Sequence, residues 1–320
     1  LAEVESERRP LLEVSLDRKA ARRVEVQESF SANDGSRPGW IRPNRHQAML
    51  RIMFGCDKFC TYCIVPRVRG PEQSRPAAEI LAEARRLVEQ GCLEITLLGQ
   101  TVNSYCDRSG GGRVSLADLL GQLHELAGLR RLRFVTNYPR HMTDDLIQAV
   151  AALPKVCPYF HVPAQSGSDA VLRRMKRGYT SAEYRDMLVR IRAAVPEAAI
   201  TSDFIVGYCG ETEEDYQQTV RLVEQSRFKN SFIFKYSTRP GTKAAGLYPD
   251  DVPDEAKRRR NNELLAIQNA ISEADNQAFV GRRVEVLVEG PSKAGRKHQR
   301  PTGDLQLTGR TVCDRIVVFD

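Results

Sequence analysis

Six short apolar runs between residues 48 and 236 alternate with amphipathic stretches, and no other feature limits the fold as strongly. The runs are 48–54, 94–98, 132–136, 159–162, 199–206 and 231–236. Between them, Ala77, Ile80, Leu81, Ala84, Leu87 and Val88 recur at helical spacing, and so do apolar positions in 116–126, 144–152, 182–195 and 213–223. Tyr216, Thr219, Val220 and Val223 share one face of the last of these. Thr143 suits a helix N-cap and Pro196 a helix stop. Six strand–helix repeats predict a parallel α/β sheet with right-handed crossovers, curved into a partial or full barrel. The site of such a sheet lies at the carboxyl ends of its strands.

Composition narrows the class. Apolar residues make up 41% of the 320 and charged residues 28%, which suits a packed core rather than a disordered chain. No window approaches the ~18 consecutive apolar residues that a membrane span needs. The first thirty residues are charged throughout, so a secretion signal is not expected there. Forty-eight Lys and Arg face 41 acids, a net +7 that permits a polyanionic partner. The eight cysteines do not read as a disulfide framework, because three crowd into one loop. A reduced, cytoplasmic setting with a metal site is expected instead.

The chain divides into three parts. Residues 1–44 hold a possible strand at 11–16 and a Gly-, Pro- and Ser-rich linker at 31–43, with Trp40, the only tryptophan. Residues 45–278 form the α/β core and end in a long helix over 253–278, with Lys257 to Arg260 expected on its surface. Residues 279–320 switch to strand alternation at 283–289, 305–308 and 315–319, around a basic loop at 290–303.

The chemistry centres on Gly55-Cys56-Asp57-Lys58-Phe59-Cys60-Thr61-Tyr62-Cys63, just past the first core strand. Three thiolates at this spacing can each hold one iron of a 4Fe–4S cube and leave the fourth iron open. Structural zinc would want a fourth ligand nearby, and His46 and Cys92 are poorly placed in the sequence to supply it. An RNA-binding protein with a structural iron or zinc centre remains the non-enzymatic alternative. Polar, Gly-bearing stretches follow the other strands: Leu97 to Tyr105, Arg133 to Pro139, His161 to Ser168, Ser202 to Tyr208 with Gly210-Glu211-Thr212, and Tyr236 to Thr242.

The cysteine spacing, with an aromatic before the last Cys, resembles the radical S-adenosylmethionine (SAM) superfamily. The Leu-Gly-Gln-x-Val-Asn-Ser-Tyr, Gln-Ser-Gly-Ser and Arg-Pro-Gly-Thr strings resemble its methylthiotransferases, over about residues 45–319. The C-terminal strands resemble the TRAM module, a small RNA-binding β-barrel, here incomplete. This resemblance implies a radical SAM partial (β/α)6 barrel in which Cys56, Cys60 and Cys63 hold one 4Fe–4S cluster. SAM would bind its open iron and be cleaved to a 5′-deoxyadenosyl radical. Tyr62, Gln165, Ser166 and Gly207 would contact SAM.

The implied reaction methylthiolates C2 of N6-isopentenyladenosine at position 37 of tRNA. Threonylcarbamoyladenosine in tRNA, or a ribosomal protein, is the alternative substrate. The implied partners are tRNA and a flavodoxin- or ferredoxin-type electron donor, with no membrane. The family also carries a second cluster in an N-terminal domain, and no cysteine precedes Cys56 here to hold one. On this reading residues 1–44 are the linker and remnant of that domain.

Basic residues cluster at Arg67, Arg69 and Arg75, at Arg173, Arg174, Lys176 and Arg177, at 257–260, and at Lys293, Arg296, Lys297 and Arg300. Charge runs are usually solvated. Phosphate contact is expected of the last cluster and of Arg67 and Arg69, which adjoin the cysteine loop. Cys92, Cys106, Cys157, Cys209 and Cys313 have no partners at ligand spacing. His161 is expected to be a hydrogen-bonded structural histidine.

Overall fold

The computed structural model describes residues 44–294 and 305–320. The strand expected at 11–16, the linker with Trp40, and Arg296, Lys297 and Arg300 lie outside the described residues.

Six strands supply the core sheet: β1 (Gln47–Arg51), β2 (Glu94–Leu98), β3 (Arg131–Phe134), β4 (Tyr159–His161), β5 (Ala199–Val206) and β6 (Asn230–Lys235). Helices α1 (Ala77–Glu89), α2 (Leu116–His124), α3 (Asp144–Ala152), α4 (Ser181–Ala194), α5 (Glu213–Ser226) and α6 (Asp254–Gln277) follow them in turn. Strands β1, β2 and β3 form one parallel sheet in sequence order, and β4, β5 and β6 form another. A parallel bridge from Leu132 to Val156 joins the two. There Leu132 donates to the Lys155 carbonyl at 2.7 Å, and Cys157 donates back to Leu132 at 2.9 Å. Among the described residues no pairing returns from β6 to β1, so the six strands make an open arc, a partial (β/α)6 barrel.

Local chemistry starts the helices. Ser115 with Asp118, Thr180 with Glu183, and Thr212 with Asp215 form capping boxes at α2, α4 and α5. Thr143 occupies the N-cap of α3 as expected, though its side chain makes no capping bond. The outer face of the arc buries Leu50, Ile95, Leu97, Leu132, Phe160 and Phe204 beneath the helices. Its inner face stays open: Met49, Phe232 and Phe234 are 61%, 53% and 54% exposed. Side chains alternate across a strand, so these inner residues are ones that a closed barrel would have covered.

The C-terminal strands β7 (Val286–Pro291), β8 (Leu307–Thr311) and β9 (Ile316–Phe319) form an antiparallel sheet. Buried arginines of β3 tie it to the arc. Arg131 donates to the Arg310 carbonyl at 2.7 Å, and Arg133 donates to the Thr311 carbonyl at 2.7 Å and to Glu94 at 2.9 Å. A cavity of about 540 Å³ remains between them, lined by Met49, Thr96, Tyr159 and Arg310 among others.

Three charged groups of the basic runs are buried in ion pairs rather than solvated. Lys257 is buried against Asp250, and Arg260 is buried with Glu211 at 2.8 Å and Glu213 at 3.2 Å. Arg75 is buried with Glu83 at 2.7 Å, so it is no part of a basic surface. In each case a carboxylate from elsewhere in the fold supplies the charge that burial requires. No helix among the described residues is long and apolar enough to cross a membrane.

Candidate cluster and cofactor site

The cysteine loop leaves β1 through the two-residue strand Met53–Phe54 and turns at Gly55, whose φ is +72°. A Cβ at Gly55 would sit 2.0 Å from the Pro71 carbonyl oxygen, so only glycine fits this turn. The returning chain accepts a bond from Cys56 N at the Gly70 carbonyl, 3.2 Å away. Thr61 anchors the far side: its N donates to the Met175 carbonyl at 3.0 Å and its Oγ1 to the Arg174 carbonyl at 2.8 Å. Ala244 N donates to the Thr61 carbonyl at 2.8 Å. The loop is thus pinned to segments that follow β4 and β6.

Cys56 and Cys60 are buried and Cys63 is half-buried. Lys58 N donates to Cys56 Sγ at 3.4 Å. Arg177 Nη1 donates to Cys60 Sγ at 3.3 Å and to Tyr62 Oη at 3.3 Å. Burial pushes the Cys56 thiol up to about 11, and burial also raises Cys63. Burial raises the Tyr62 phenol far above its usual range despite the nearby Arg177 charge.

Beside the loop, at the carboxyl ends of β5 and β6, lies a cavity of about 270 Å³. Tyr62, Gln165, Asp203, Phe234, Lys235 and Arg239 are among its lining residues. Its size is near the lower end of small-molecule pockets, ~300 Å³. Aromatic faces, a carboxylate and two cationic side chains can together take a charged, ring-bearing ligand. Gln165 reaches it from a backbone with φ of +71°, held by Gln165 N to the Asp203 carbonyl at 2.8 Å and Ile205 N to the Gln165 carbonyl at 3.0 Å.

The sequence pattern of the radical SAM superfamily matches residues 50–223. The chain belongs to the radical SAM superfamily. It is 60% identical over 307 residues to a tRNA-2-methylthio-N(6)-dimethylallyladenosine synthase of Rhodopirellula baltica, a match covering 96% of this chain and 64% of that one. A protein of the same name from Syntrophotalea carbinolica is 48% identical over 271 residues, covering 85% and 60%. The chain therefore spans less than two thirds of these relatives' length. Its fold is similar to that of coproporphyrinogen III oxidase from Escherichia coli, with a TM-score of 0.54 at 16% identity, covering 80% of this chain and 57% of that one.

Membership implies a 4Fe–4S cluster and SAM, and the donor set fits. Burial favours the protonated form of Cys56 and Cys63, so a cationic metal centre is what would hold them as thiolates. Among the described residues no three Cys, His, Asp or Glu side chains gather as they would around a single metal ion.

Of the residues expected to contact SAM, Tyr62 and Gln165 line the cavity together. Ser166 does not join them. It is buried beside Thr219 of α5 at 3.3 Å and accepts from Ser168 N at 3.1 Å. Gly207 is glycine for Lys257, whose Cγ would lie 2.3 Å from an added Cβ, and its N donates to Glu211 at 2.6 Å. Arg67 and Arg69 are exposed, with Arg67 donating to the Gly241 carbonyl at 3.3 Å. Lys293 is exposed on the β-module. His161 bonds Thr201 at 3.0 Å and faces Asp203 at 3.4 Å, as a structural histidine would. Cys209 is buried in a small cluster with Tyr208 and Tyr236, against which Tyr62 of the cysteine loop packs.

The sequence reading missed Arg177, which it grouped with solvated charges, and Asp203, Lys235 and Arg239 as pocket residues. Asp203 and Arg239 stand inside motifs quoted above, so strand-end position marked them. Nothing local marked Arg177.

Proposed function

We propose that this chain carries the SAM-cleaving part of a tRNA methylthiotransferase. On this reading residues 45–278 are the radical SAM core and residues 279–320 an RNA-gripping module. Cys56, Cys60 and Cys63 are the cluster ligands. The observation that carries the reading is the pinned three-cysteine loop, set at parallel strand ends beside the cavity of Tyr62, Gln165 and Arg239.

When bound, the cluster supplies the electron for reductive SAM cleavage. The chain's own residues do the rest. Tyr62 and Phe234 offer aromatic surface to a purine, and Gln165 and Asp203 offer polar atoms to its ribose. Lys235 and Arg239 offer positive charge to a carboxylate. The open inner face with Met49 and Phe232 gives a nucleoside an approach to that cavity. The substrate is N6-isopentenyladenosine of tRNA, as the relatives' name and the matching motifs support, with a low-potential protein as electron donor. Arg67, Arg69 and Lys293 would meet the tRNA backbone, with Arg296, Lys297 and Arg300 joining them from outside the described residues. The sulfur-donating half is assigned to no group of this chain.

The test is anaerobic reconstitution with iron and sulfide. The 320-residue chain should gain a 4Fe–4S absorbance, change its EPR spectrum on SAM addition and release 5′-deoxyadenosine under reduction. Cys60→Ala should lose the cluster, whereas Cys92→Ala and Cys313→Ala should keep it. A full cluster in Cys60→Ala, or zinc alone in the purified protein, would overturn the assignment.

A further inference from the structure

Arg177 is buried, and no carboxylate pairs with its guanidinium among the described residues. Its partners are neutral or sulfur: Tyr179 Oη at 2.8 Å from Nε, the Pro163 carbonyl at 3.1 Å from Nη2, and Cys60 Sγ and Tyr62 Oη, each 3.3 Å from Nη1. The ring faces of Tyr138 and Tyr179 flank it, each with its centroid 5.2 Å away. The other buried cations described above, Arg75, Arg131, Arg133, Lys257 and Arg260, each meet a carboxylate. A buried charge without a counter-ion is costly, so the placement makes sense only if a negative charge arrives at the sulfur. A 4Fe–4S cluster held by three thiolates is anionic, and it becomes more so on taking up an electron. A fixed cation and an N–H donor at one ligand sulfur favour the reduced form.

We infer that Arg177 is a positioning residue for the cluster: through its bond to the Cys60 sulfur it holds that ligand and eases the one-electron reduction that precedes SAM cleavage. The inference rests on the reading that Cys56, Cys60 and Cys63 hold the cluster. The electron comes from an external low-potential reductant, and the cluster gains one electron with no bond broken.

The experiment is an EPR-monitored redox titration of the reconstituted 320-residue chain and three variants. Arg177→Met removes charge and donors. Arg177→Lys keeps the charge but loses the fork that spans sulfur, phenol and carbonyl. Tyr179→Phe removes one Arg177 partner and leaves the sulfur contact. At a fixed potential, Arg177→Met should lower the ratio of reduced to oxidised cluster about tenfold, equivalent to ~59 mV for one electron. Arg177→Lys should fall between it and the parent, and Tyr179→Phe should match the parent. If Arg177→Met does not accumulate folded, Arg177→Lys against Tyr179→Phe decides. Parent-like potentials in the Arg177 variants, or an equal shift in Tyr179→Phe, would overturn the inference and leave Arg177 a packing residue. A parent chain that takes up no cluster would instead overturn the functional reading beneath it.

Discussion

Replacing Gly55 by Ala tests whether the turn before Cys56 is held by backbone contact. The added Cβ would meet Pro71 O at 2.0 Å, Pro71 C at 2.6 Å and Gly70 O at 2.8 Å, all backbone atoms that cannot rotate aside. Left-handed backbone costs an L-residue roughly 1–2 kcal/mol. Overpacking adds about 1–3 kcal/mol. The stiffer unfolded chain returns about 0.4–1 kcal/mol. The net loss is then about 1–5 kcal/mol for Gly55→Ala. Gly91 provides the control: its φ is +86°, but an added Cβ would meet nothing within 4 Å. Gly91→Ala should therefore lose only about 0–2 kcal/mol. The difference corresponds to roughly 2–12 °C in melting temperature, followed by circular dichroism. Iron uptake should fall in Gly55→Ala alone, because the shifted turn carries Cys56 with it. Equal melting temperatures and equal iron content in the two variants would refute the argument.

Three further outcomes are expected. Arg260→Met leaves the Glu211 carboxylate buried without its cation and should cost about 3–5 kcal/mol at pH 8, whereas exposed Arg258→Ala should stay within ~0.5 kcal/mol, both measured by urea unfolding. Burial, with Lys58 and Arg140 nearby, lowers His141 to about 4, so the unfolded chain binds its proton first. Stability from this group is present above pH 6.5 and is lost as pH falls toward 4; His141→Gln should flatten that part of a pH–stability curve, and an unchanged slope would show another group responsible. Neutralising Lys293, Arg296, Lys297 and Arg300 together should reduce the salt slope of RNA binding by about 0.7 for each single-strand phosphate that these side chains neutralise in the parent; the same slope as the parent would mean a merely solvated loop.

The alternation of short apolar runs and amphipathic stretches determined the repeat and its order, because strand and helix periodicities are local properties. Glu94–Leu98, Asp144–Ala152 and Ala199–Val206 lie where the pattern placed them. The cysteine triplet and the strand-end motifs likewise marked which end of the sheet carries the site. Tertiary structure alone decided which side chains of those motifs meet. Gln165 and Ser166 are neighbours in the chain, yet one faces the cavity and the other packs on α5. The same holds for charge. A run such as 257–260 reads as solvated because sequence shows only its own element. Glu211, 49 residues away, is what allows Arg260 to be buried. Arg177 lies 117 residues from the sulfur it contacts, and no periodicity within its own segment points across that distance. Burial of a cation depends on what the fold sets opposite it, so the sequence could locate the cysteine loop but not the cation behind it.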